Sequence, residues 1–359
     1  MVEEWDADLW AINTPRGIVQ LKTGTLRPHD RAARMTKLTS ASLLKPALEC
    51  SAWLAFLDEV TGGDQDLIVY LQRVAGYCLT GNTSEHALFF LYGTGANGKS
   101  VFVNVLTALL GDYAAIAPMD SFMETRSDQH PTDLAGLQGA RLVCAMETGQ
   151  GRRWNGSKIK AITGGDPISA RFMRQNFFRY TPQFKLLVAG NHKPSIRGVD
   201  EAMKRRLHLI PFTVTIPPDQ RDKQLTDKLL KERDAIFTWA VQGCVLWREY
   251  GLKPPRSVMA ATDEYFDAED AIGRWLEERC EQLPHIKTPV AVLFEDWRRW
   301  ADKAGEYPGA IKHFSEKLIA HGFERCRLTD GVRGFKALVL QTKPPFYADV
   351  PPGMDFSRE

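Results

Sequence analysis

The chain has 359 residues, a formal net charge of +2 and a hydrophobic content of 44%, which are typical of a globular protein with two or three domains. A net charge so close to zero argues against a uniformly basic nucleic-acid-binding surface, so any such contact must come from local basic patches. No apolar run reaches the roughly 18 residues of a membrane span, and the sequence after Met1 does not resemble a signal peptide. The six cysteines include no CxxC pair, which predicts reduced thiols rather than disulfides or a zinc site. We therefore expect a cytoplasmic protein without a membrane contact.

The first part of the chain predicts a small β-rich segment followed by helices. Residues 1–51 form the β-rich segment, in which residues 17–29 predict two short strands on either side of Lys22-Thr23-Gly24. In residues 52–84, apolar side chains recur at helical spacing. This pattern indicates a helical module packed ahead of the central domain.

Residues 85–250 alternate continuous apolar runs with helical patterns. Such runs favour strands of a parallel sheet covered on both faces, and so an α/β fold. The predicted strands are Ala87–Tyr92, Arg141–Met146, Phe184–Ala189 and Leu207–Val214. The proline-containing residues 251–257 then predict a linker.

The last hundred residues change character. Residues 258–342 contain three helical patterns followed by two strands predicted around Asp330-Gly331, and this order is typical of a winged-helix-like domain. The helices are Ala271–Cys280, Val290–Ala304 and Ile311–His321. The proline-rich tail, residues 343–359, is expected to be disordered.

A glycine-rich loop follows the first predicted strand of the central domain. Residues 93–100 read GTGANGKS and fit the P-loop pattern G-x-x-x-x-G-K-[ST]. Glycines let the backbone turn its N–H groups around a phosphate, Lys99 would reach the β- and γ-phosphates, and the Ser100 hydroxyl would bind Mg²⁺. Because a strand precedes the loop and a helix follows it, we prefer a site for ATP and Mg²⁺ over a chance glycine turn. Its predicted nucleotide-binding residues are Gly93, Thr94, Gly95, Ala96, Asn97, Gly98, Lys99, Ser100 and Val101.

Two later strands end in polar residues. Glu147 closes RLVCAME, and Asn191 closes FKLLVAGN. Ligands in open α/β sheets bind beyond the carboxyl ends of the strands, so we expect these residues to share one crevice with the loop. Glu147 would orient or deprotonate the attacking water and join Ser100 at the metal, while Asn191 would hydrogen-bond that water or the γ-phosphate. The alternatives are an acid that caps a strand and an amide that satisfies a turn.

The order of five segments resembles superfamily 3 helicases, and more narrowly the helicase half of the phage and plasmid primase–helicases, the group that includes poxvirus and satellite-phage replication proteins. The segments are GTGANGKS, RLVCAMETGQGRR, KAITGGDPISARF, TPQFKLLVAGNHKP and DEAMKRRLHLIPF. The match runs from about Trp5 to Phe212. It implies an AAA+-like P-loop NTPase core, with residues 52–84 as an oligomerisation collar, that forms a hexameric ring around one DNA strand and moves from 3′ to 5′.

The resemblance also implies roles for single residues. Glu147 matches the Walker B acid, Asn191 matches the polar sensor, and Arg206 matches the arginine finger, with Arg205 as the near alternative. Met146 stands where the wider superfamily often has a second acid. A finger supplied by a neighbouring subunit places a planar cation on the transition-state charge, so ATP turnover would require the ring. Without the resemblance, the two arginines would read as a solvated basic pair.

The insert between the last two motifs predicts a DNA-binding hairpin, because in the family a hairpin at this place projects into the central channel. Its two strands would meet near Arg174-Gln175-Asn176. A cation for the backbone and an aromatic ring for a base would together bind single strands without reading sequence. The alternative is a structural hairpin whose phenylalanines are core, and at least one of Phe172, Phe177 and Phe178 is expected to be so. The DNA-contact candidates are Arg174, Asn176, Phe177 and Lys160.

Two functions remain open at this point. The first is an ATP-dependent helicase acting on single-stranded or forked DNA, and the second is an ATP-switched DNA-binding or assembly protein without processive unwinding. A small-molecule kinase is a distant third. We expect no primase domain in the residues before Trp5. We therefore expect either the helicase half of a longer protein or a stand-alone relative that works with a separate primase or replication initiator, encoded by a phage or plasmid in a bacterial host.

Overall fold

A computed structural model describes residues 4–125, 132–146, 149, 151–196, 201–328 and 331–341. The chain divides into two compact units, Met1–Phe266 and Asp267–Glu359. Among the described helices, none has both the length and the hydropathy that crossing a bilayer requires.

The first unit opens with a small antiparallel sheet and two helices. The elements are β1 (Ala11–Thr14), β2 (Gly17–Gln20), β3 (Thr25–Arg27), α1 (Ser51–Thr61) and α2 (Gln65–Leu79). The strands β2 and β3 confirm the pair predicted around Lys22-Thr23-Gly24. Gly62 ends α1 in the left-handed region (φ 65°), and the Asp64 side chain caps α2 by accepting from the Leu67 N–H. Two helices therefore form the module over residues 52–84.

A five-stranded parallel sheet forms the centre of this unit and confirms the α/β class. Its elements are β4 (Leu88–Tyr92), α3 (Lys99–Leu110), β5 (Ala114–Ile116), α4 (Thr132–Ala135), β6 (Leu142–Met146), α5 (Gly156–Gly164), β7 (Ile168–Ala170), β8 (Phe178–Tyr180), β9 (Lys185–Gly190), α6 (Glu201–Lys204) and β10 (Leu207–Pro211). The strand order is β10-β4-β9-β6-β5, and β7 pairs only with β8, as a separate antiparallel hairpin. Four of the five strands lie in the predicted apolar runs, whereas β5 has three residues and was not predicted.

Both faces of the sheet are buried, as the continuous apolar runs predict. Phe89 and Leu91 of β4 enter a core shared with α1, α2, α3 and α8 (Arg233–Tyr250), whereas Leu88 and Phe90 enter a second core shared with α5 and α9 (Arg256–Glu269). Since successive side chains of a strand point to opposite faces, a fully apolar strand needs a partner layer on each side.

Two helices of the C-terminal half of this unit remain to be placed. They are α7 (Leu225–Leu230), which precedes α8, and α9, which begins inside the predicted linker and was not predicted. In α9 the residues Ala261, Tyr265 and Phe266 are buried in the second core, so this helix belongs to the first unit as far as Phe266. The predicted linker is thus shorter than the sequence suggested.

The second unit is a small helical domain with short strands. Its elements are α10 (Ala271–Arg279), β11 (Cys280–Glu281), β12 (Lys287–Pro289), α11 (Val290–Ala304), α12 (Ile311–Ala320), β13 (Arg325–Arg327), β14 (Arg333–Lys336) and β15 (Val339–Leu340). Its core contains Trp275, Trp297 and Phe314, whose rings contact one another with centroids 5.5–6.2 Å apart. The predicted strand pair is β13 and β14, while Asp330 and the tail 343–359 lie outside the described residues.

Two buried cations at the amino-terminal edge of the sheet bind the chain at the end of α2, and one of them, Arg141, also binds the N-terminal segment. Arg141 donates to the Leu79 carbonyl (2.8 Å) and the Ala11 carbonyl (2.6 Å). Lys185 is 1% exposed and donates to the carbonyls of Thr80 and Asn82. Burial lowers the pKa of Lys185 to about 7. Carbonyl oxygens thus satisfy the hydrogen bonds of this ammonium but do not offset the loss of its hydration.

The lowered pKa of Lys185 predicts that the free energy of unfolding rises with pH above about pH 7. In that range the unfolded chain, with a lysine pKa of 10.5, holds a proton that the folded chain has lost. The rise is at most about 1.4 kcal/mol per pH unit from this group. Lys185→Met should flatten the slope measured by urea unfolding at pH 7 and pH 9, whereas Lys231→Met, at an exposed position, should keep it. Equal slopes for Lys185→Met and the wild type would contradict this assignment.

Candidate nucleotide site

The glycine-rich loop lies at the carboxyl edge of the sheet. It follows β4 at Tyr92 and leads into α3 at Lys99. Strand β9 runs parallel to β4 with Tyr92 opposite Gly190, so the residues after these strands, Gly93 and Asn191, emerge side by side. The register between two strands therefore brings two separate sequence motifs to one place.

The loop backbone has the shape that surrounds an anion. Gly95, Ala96 and Gly98 have φ values of 113°, 49° and 80°. Helix α3 begins at Lys99 with no hydrogen bond from a capping side chain. Its first N–H groups are thus available to an acceptor from solvent or from a ligand. Successive backbone N–H groups in such turns form concave sites for phosphate.

Lys99 is held by three oxygen atoms inside the loop. Its side chain is 5% exposed, and Nζ donates to the Gly93 carbonyl (2.9 Å), to Asn97 Oδ1 (2.9 Å) and to Asn191 Oδ1 (3.1 Å). Burial lowers the pKa of this ammonium. Lys99 and Asn191, singled out from different motifs, therefore lie in direct contact. Phosphate oxygens have the charge and geometry to replace the two amide oxygens.

Asn97 fixes the loop to the chain that follows β10. It is 3% exposed, and its Nδ2 donates to the Phe212 carbonyl at 2.6 Å while its Oδ1 accepts from Lys99. A Cβ atom on Gly93 would lie 2.0 Å from the same carbonyl oxygen, and the Ile216 N–H donates to the Ala96 carbonyl at 2.8 Å. The sequence identified Asn97 only as one variable position of the loop. Its positioning role depends on a residue more than a hundred positions away and could not be read from the motif.

The predicted metal and water-activating residues are only partly described. Ser100 is exposed in the first turn of α3, next to Lys99, where its hydroxyl is accessible to a cation. Glu147 lies outside the described residues. The preceding residue, Met146, ends β6 opposite Ala189 of β9, so that strand also ends at the carboxyl edge. Among the described residues no group of three or more His, Cys, Asp or Glu could hold a metal ion. The described residues are therefore compatible with a cation that is bound by the Ser100 hydroxyl and by a phosphate oxygen of the nucleotide.

A second cation, Lys193, lies at the same edge and was missed by the sequence analysis. Its Nζ is 4.0 Å from the centroid of the Tyr92 ring, the last residue before the loop. Burial lowers the pKa of Lys193, and the charge of Glu264 partly offsets that effect. The feature of the sequence that could have identified Lys193 is its position two residues after Asn191.

The two neighbouring arginines differ in their surroundings. Arg206 is 8% exposed, and its guanidinium donates to Thr163 Oγ1 (3.2 Å) and to the Ala202 carbonyl (2.7 Å). Arg205 is exposed. A finger supplied in trans has to be accessible to the neighbouring subunit, and the Arg206 guanidinium is bonded within its own chain. Of the two candidates, Arg205 is the one exposed to solvent.

The β7–β8 hairpin exposes the predicted DNA-contact residues at its turn. Arg174, which has φ 60°, and its neighbours Asn176 and Phe177 are exposed, with Phe177 at 59%. The Arg171 guanidinium lies 4.8 Å from the centroid of the Phe177 ring. Phe178 is the phenylalanine that packs against the second core, as expected of at least one of the three. The fourth candidate, Lys160, is half-buried on α5 and not on the hairpin.

Two family profiles match parts of the chain. Residues 91–206 match a family of unknown function, DUF5906, and residues 1–62 match the family described as D5 N terminal like. Among curated proteins, "Putative helicase L207/L206" of Acanthamoeba polyphaga mimivirus is 27% identical over 333 residues, covering 85% of this chain and 34% of that protein. "Putative primase C962R" of African swine fever virus is 22% identical over 240 residues, covering 59% of this chain and 25% of that protein.

The comparisons agree with the motifs. "Putative helicase 022R" of Frog virus 3 is 26% identical over 274 residues, covering 69% of this chain and 27% of that protein. The chain thus spans about a third or less of these relatives' length. A solved apo structure of the NrS-1 C terminal region shares the fold with a TM-score of 0.50 at 12% identity, over 83% of this chain and 77% of that one. The D5 N terminal like match and the viral relatives confirm the resemblance to primase–helicases predicted from the sequence.

The close packing of the loop predicts that its glycines are not equivalent. A Cβ on Gly98 would lie 2.5 Å from Val60 Cγ1 and 2.9 Å from Phe56 Cε2, whereas a Cβ on Gly95 would meet nothing within 4 Å. Both positions have a positive φ, so each alanine adds about 1 kcal/mol of backbone strain. Gly98→Ala should lose about 1–3 kcal/mol more from overpacking. Urea unfolding of the two variants tests this, and equal losses would contradict the described packing.

Proposed function

Because the chain resembles the primase–helicases, we propose that it is the motor part of an ATP-dependent DNA helicase of superfamily 3, acting in the replication of a phage, plasmid or prophage. The observation that carries the proposal is the 3.1 Å contact between Lys99 Nζ and Asn191 Oδ1 at the carboxyl edge of a parallel sheet. Nucleotides bind at this edge in open α/β sheets. The contact joins a phosphate-binding cation to a polar group that can report on the γ-phosphate.

The strand order supports an AAA+-like P-loop core. Strand β9 lies between β4, which leads into the loop, and β6, which leads to Glu147. Asn191 therefore emerges between Lys99, which would hold the γ-phosphate, and the end of β6, which leads to Glu147. That is where an attacking water must be oriented.

We infer the following roles for the chain's own residues during ATP hydrolysis. The N–H groups of the loop and of the first turn of α3 bind the phosphates, and Lys99 moves its hydrogen bonds from the two asparagine amides to the γ-phosphate. Asn191 is then free to orient water, and Glu147 accepts its proton. Mg²⁺, bound through Ser100, would neutralise charge on the β- and γ-phosphates.

Arg205 would act on the nucleotide of a neighbouring copy. It precedes β10, and Arg206 next to it bonds through its carbonyl to Leu88 at the start of β4. The loop follows the other end of β4, five residues or about 17 Å away along the strand. A finger at this position cannot reach the site of its own chain. We therefore propose a homo-oligomer, with the hexameric ring that the resemblance implies.

The β7–β8 hairpin supports single-stranded DNA as the track. Arg174 supplies an exposed charge for the phosphate backbone, and Phe177 supplies an exposed ring for base stacking. The contact with Arg171 holds that ring in place without covering it completely. Such a hairpin grips DNA without reading its sequence, as translocation from 3′ to 5′ along a forked substrate requires.

The helices and hairpin of the second unit follow one another in the order of a winged-helix-like module. As a partner of the whole chain, we propose a separate primase or replication initiator.

A second candidate function remains, in which ATP binding switches a DNA-gripping ring without processive unwinding. Met146, in place of a second acid, favours it, because a single carboxylate gives weaker outer support to Mg²⁺. The two functions differ in whether hydrolysis drives strand separation.

The assigned chemistry predicts opposite effects for two variants. Lys99→Ala should abolish ATP binding, because the loop loses the cation that reaches the γ-phosphate. Glu147→Gln should bind ATP but hydrolyse it at least about 100-fold more slowly, because the shape is kept while the base is lost. Equilibrium binding of a fluorescent ATP analogue and phosphate release measure the two steps. Hydrolysis by Glu147→Gln at a near-wild-type rate would remove Glu147 from its role.

The exposed and buried arginines predict a second pair of contrasting variants. Arg205→Ala should bind ATP normally but lose about 10³-fold or more in turnover, and should depress wild-type activity beyond simple dilution when the two are mixed. Arg206→Ala should instead lose about 1–3 kcal/mol of stability, because it removes the hydrogen bonds to Thr163 and Ala202. A stable but inactive Arg206→Ala, beside an active Arg205→Ala, would restore Arg206 as the finger.

A further inference from the structure

The second unit contains a strongly cationic cavity of about 710 Å³ between α12 and the β13–β14 hairpin. Four basic side chains from three elements line it, and the only aromatic ring in its lining is Phe335. The basic residues are Lys312, Arg325, Arg327 and Arg333. Neither the nucleotide site nor the β7–β8 hairpin involves any of them.

The strand register concentrates these charges on one face of the hairpin. Arg325 and Arg327 are two residues apart on β13 and so point to the same side. Arg333 of β14 lies directly opposite Arg327 in the antiparallel pair. Like charges placed opposite each other destabilise a strand pair. The fold therefore carries a local cost that a bound polyanion would relieve.

The four cations also lack partners within the described part of the chain. No described carboxylate lines the cavity, and none of the four forms an ion pair with a described residue. Other cations of the same unit do form ion pairs: Lys336, on the same strand as Arg333, contacts Glu324 at 2.7 Å, and Arg279 contacts Asp296 at 2.7 Å. What distinguishes the cavity is that four cations without a described ion pair line one space.

We propose that this cavity binds the phosphodiester backbone of duplex DNA. Three of its four cations are arginines, whose planar guanidinium groups match phosphate oxygens with two hydrogen bonds each. Single-strand sites stack bases on exposed rings, but Phe335 is 1% exposed and offers no such surface. The cavity likewise lacks the exposed aromatic anchors that are typical of protein–protein interfaces. Backbone contacts along an intact duplex fit this combination best.

Not every basic side chain near the cavity belongs to the proposed site. Lys312 and Arg333 line the cavity, whereas Lys317 does not. Lys317 is half-buried, and the charges of Asp270 and Glu306 partly offset the fall that burial causes in its pKa. The charge of Lys317 is therefore partly balanced by acidic side chains, whereas no described carboxylate lines the cavity.

Salt-dependent binding of the full chain to a blunt, fluorescein-labelled duplex, without nucleotide, tests the proposal. Arg325→Ala/Arg327→Ala should weaken binding at least about 10-fold and reduce the slope of log K against log salt by about two, one for each lost phosphate contact. Arg325→Lys/Arg327→Lys, which keeps the charge but loses the paired hydrogen bonds, should keep the wild-type salt slope and lose less affinity than the alanine variant. Arg298→Ala/Arg299→Ala, at exposed positions on α11 outside the cavity, should change neither quantity.

Two outcomes would overturn the proposal. One is a wild-type slope and affinity in Arg325→Ala/Arg327→Ala. The other is displacement of the duplex by poly-glutamate as effectively as by unlabelled duplex at equal charge, which would identify an acidic protein as the ligand. The inference does not depend on the nucleotide site. Lys99→Ala should keep duplex binding, and Arg325→Ala/Arg327→Ala should keep DNA-independent ATPase activity, so the two proposals can fail separately.

Discussion

The parallel pairing of β4 with β9 is the constraint on which the candidate site depends. It sets Tyr92 opposite Gly190 and delivers the loop and Asn191 to the same edge of the sheet. A slip of one residue would turn every side chain of one strand to the other face, and both faces of this sheet are packed. The two buried cores therefore maintain the register, and the register positions Lys99 against Asn191.

The loop is shaped by packing as well as by its own glycines. Asn97 bonds the carbonyl of Phe212, and Gly98 lies against Val60 and Phe56 of α1. The helical module that precedes the central sheet thus contributes to the nucleotide loop. A loop held on two sides loses little conformational entropy when it binds phosphate, because its bound shape already exists.

The sequence predicts those parts of the fold and the site where chemistry or burial restricts the residue type. A phosphate-binding loop needs small residues, a cation and a hydroxyl group, and the four long strands have to be apolar on both faces. Strand β5 was missed because three residues give no pattern, and α9 because its apolar side chains need a second sheet face that only the fold supplies. Tertiary contacts also distinguish Arg206, bonded to Thr163, from its exposed neighbour Arg205. The opposition of Arg327 and Arg333 likewise depends on strand register, which a motif does not contain.

Whether ATP hydrolysis drives strand separation is the central question, and a displacement assay on forked DNA answers it most directly. A labelled strand annealed to a partner with single-stranded tails is mixed with the full chain, Mg²⁺ and ATP. The wild type should release the strand from forks with a 3′ tail, whereas Glu147→Gln, or the wild type with a non-hydrolysable analogue, should release none. Steady ATP hydrolysis without release from any fork would contradict the helicase assignment and favour the ATP-switched ring.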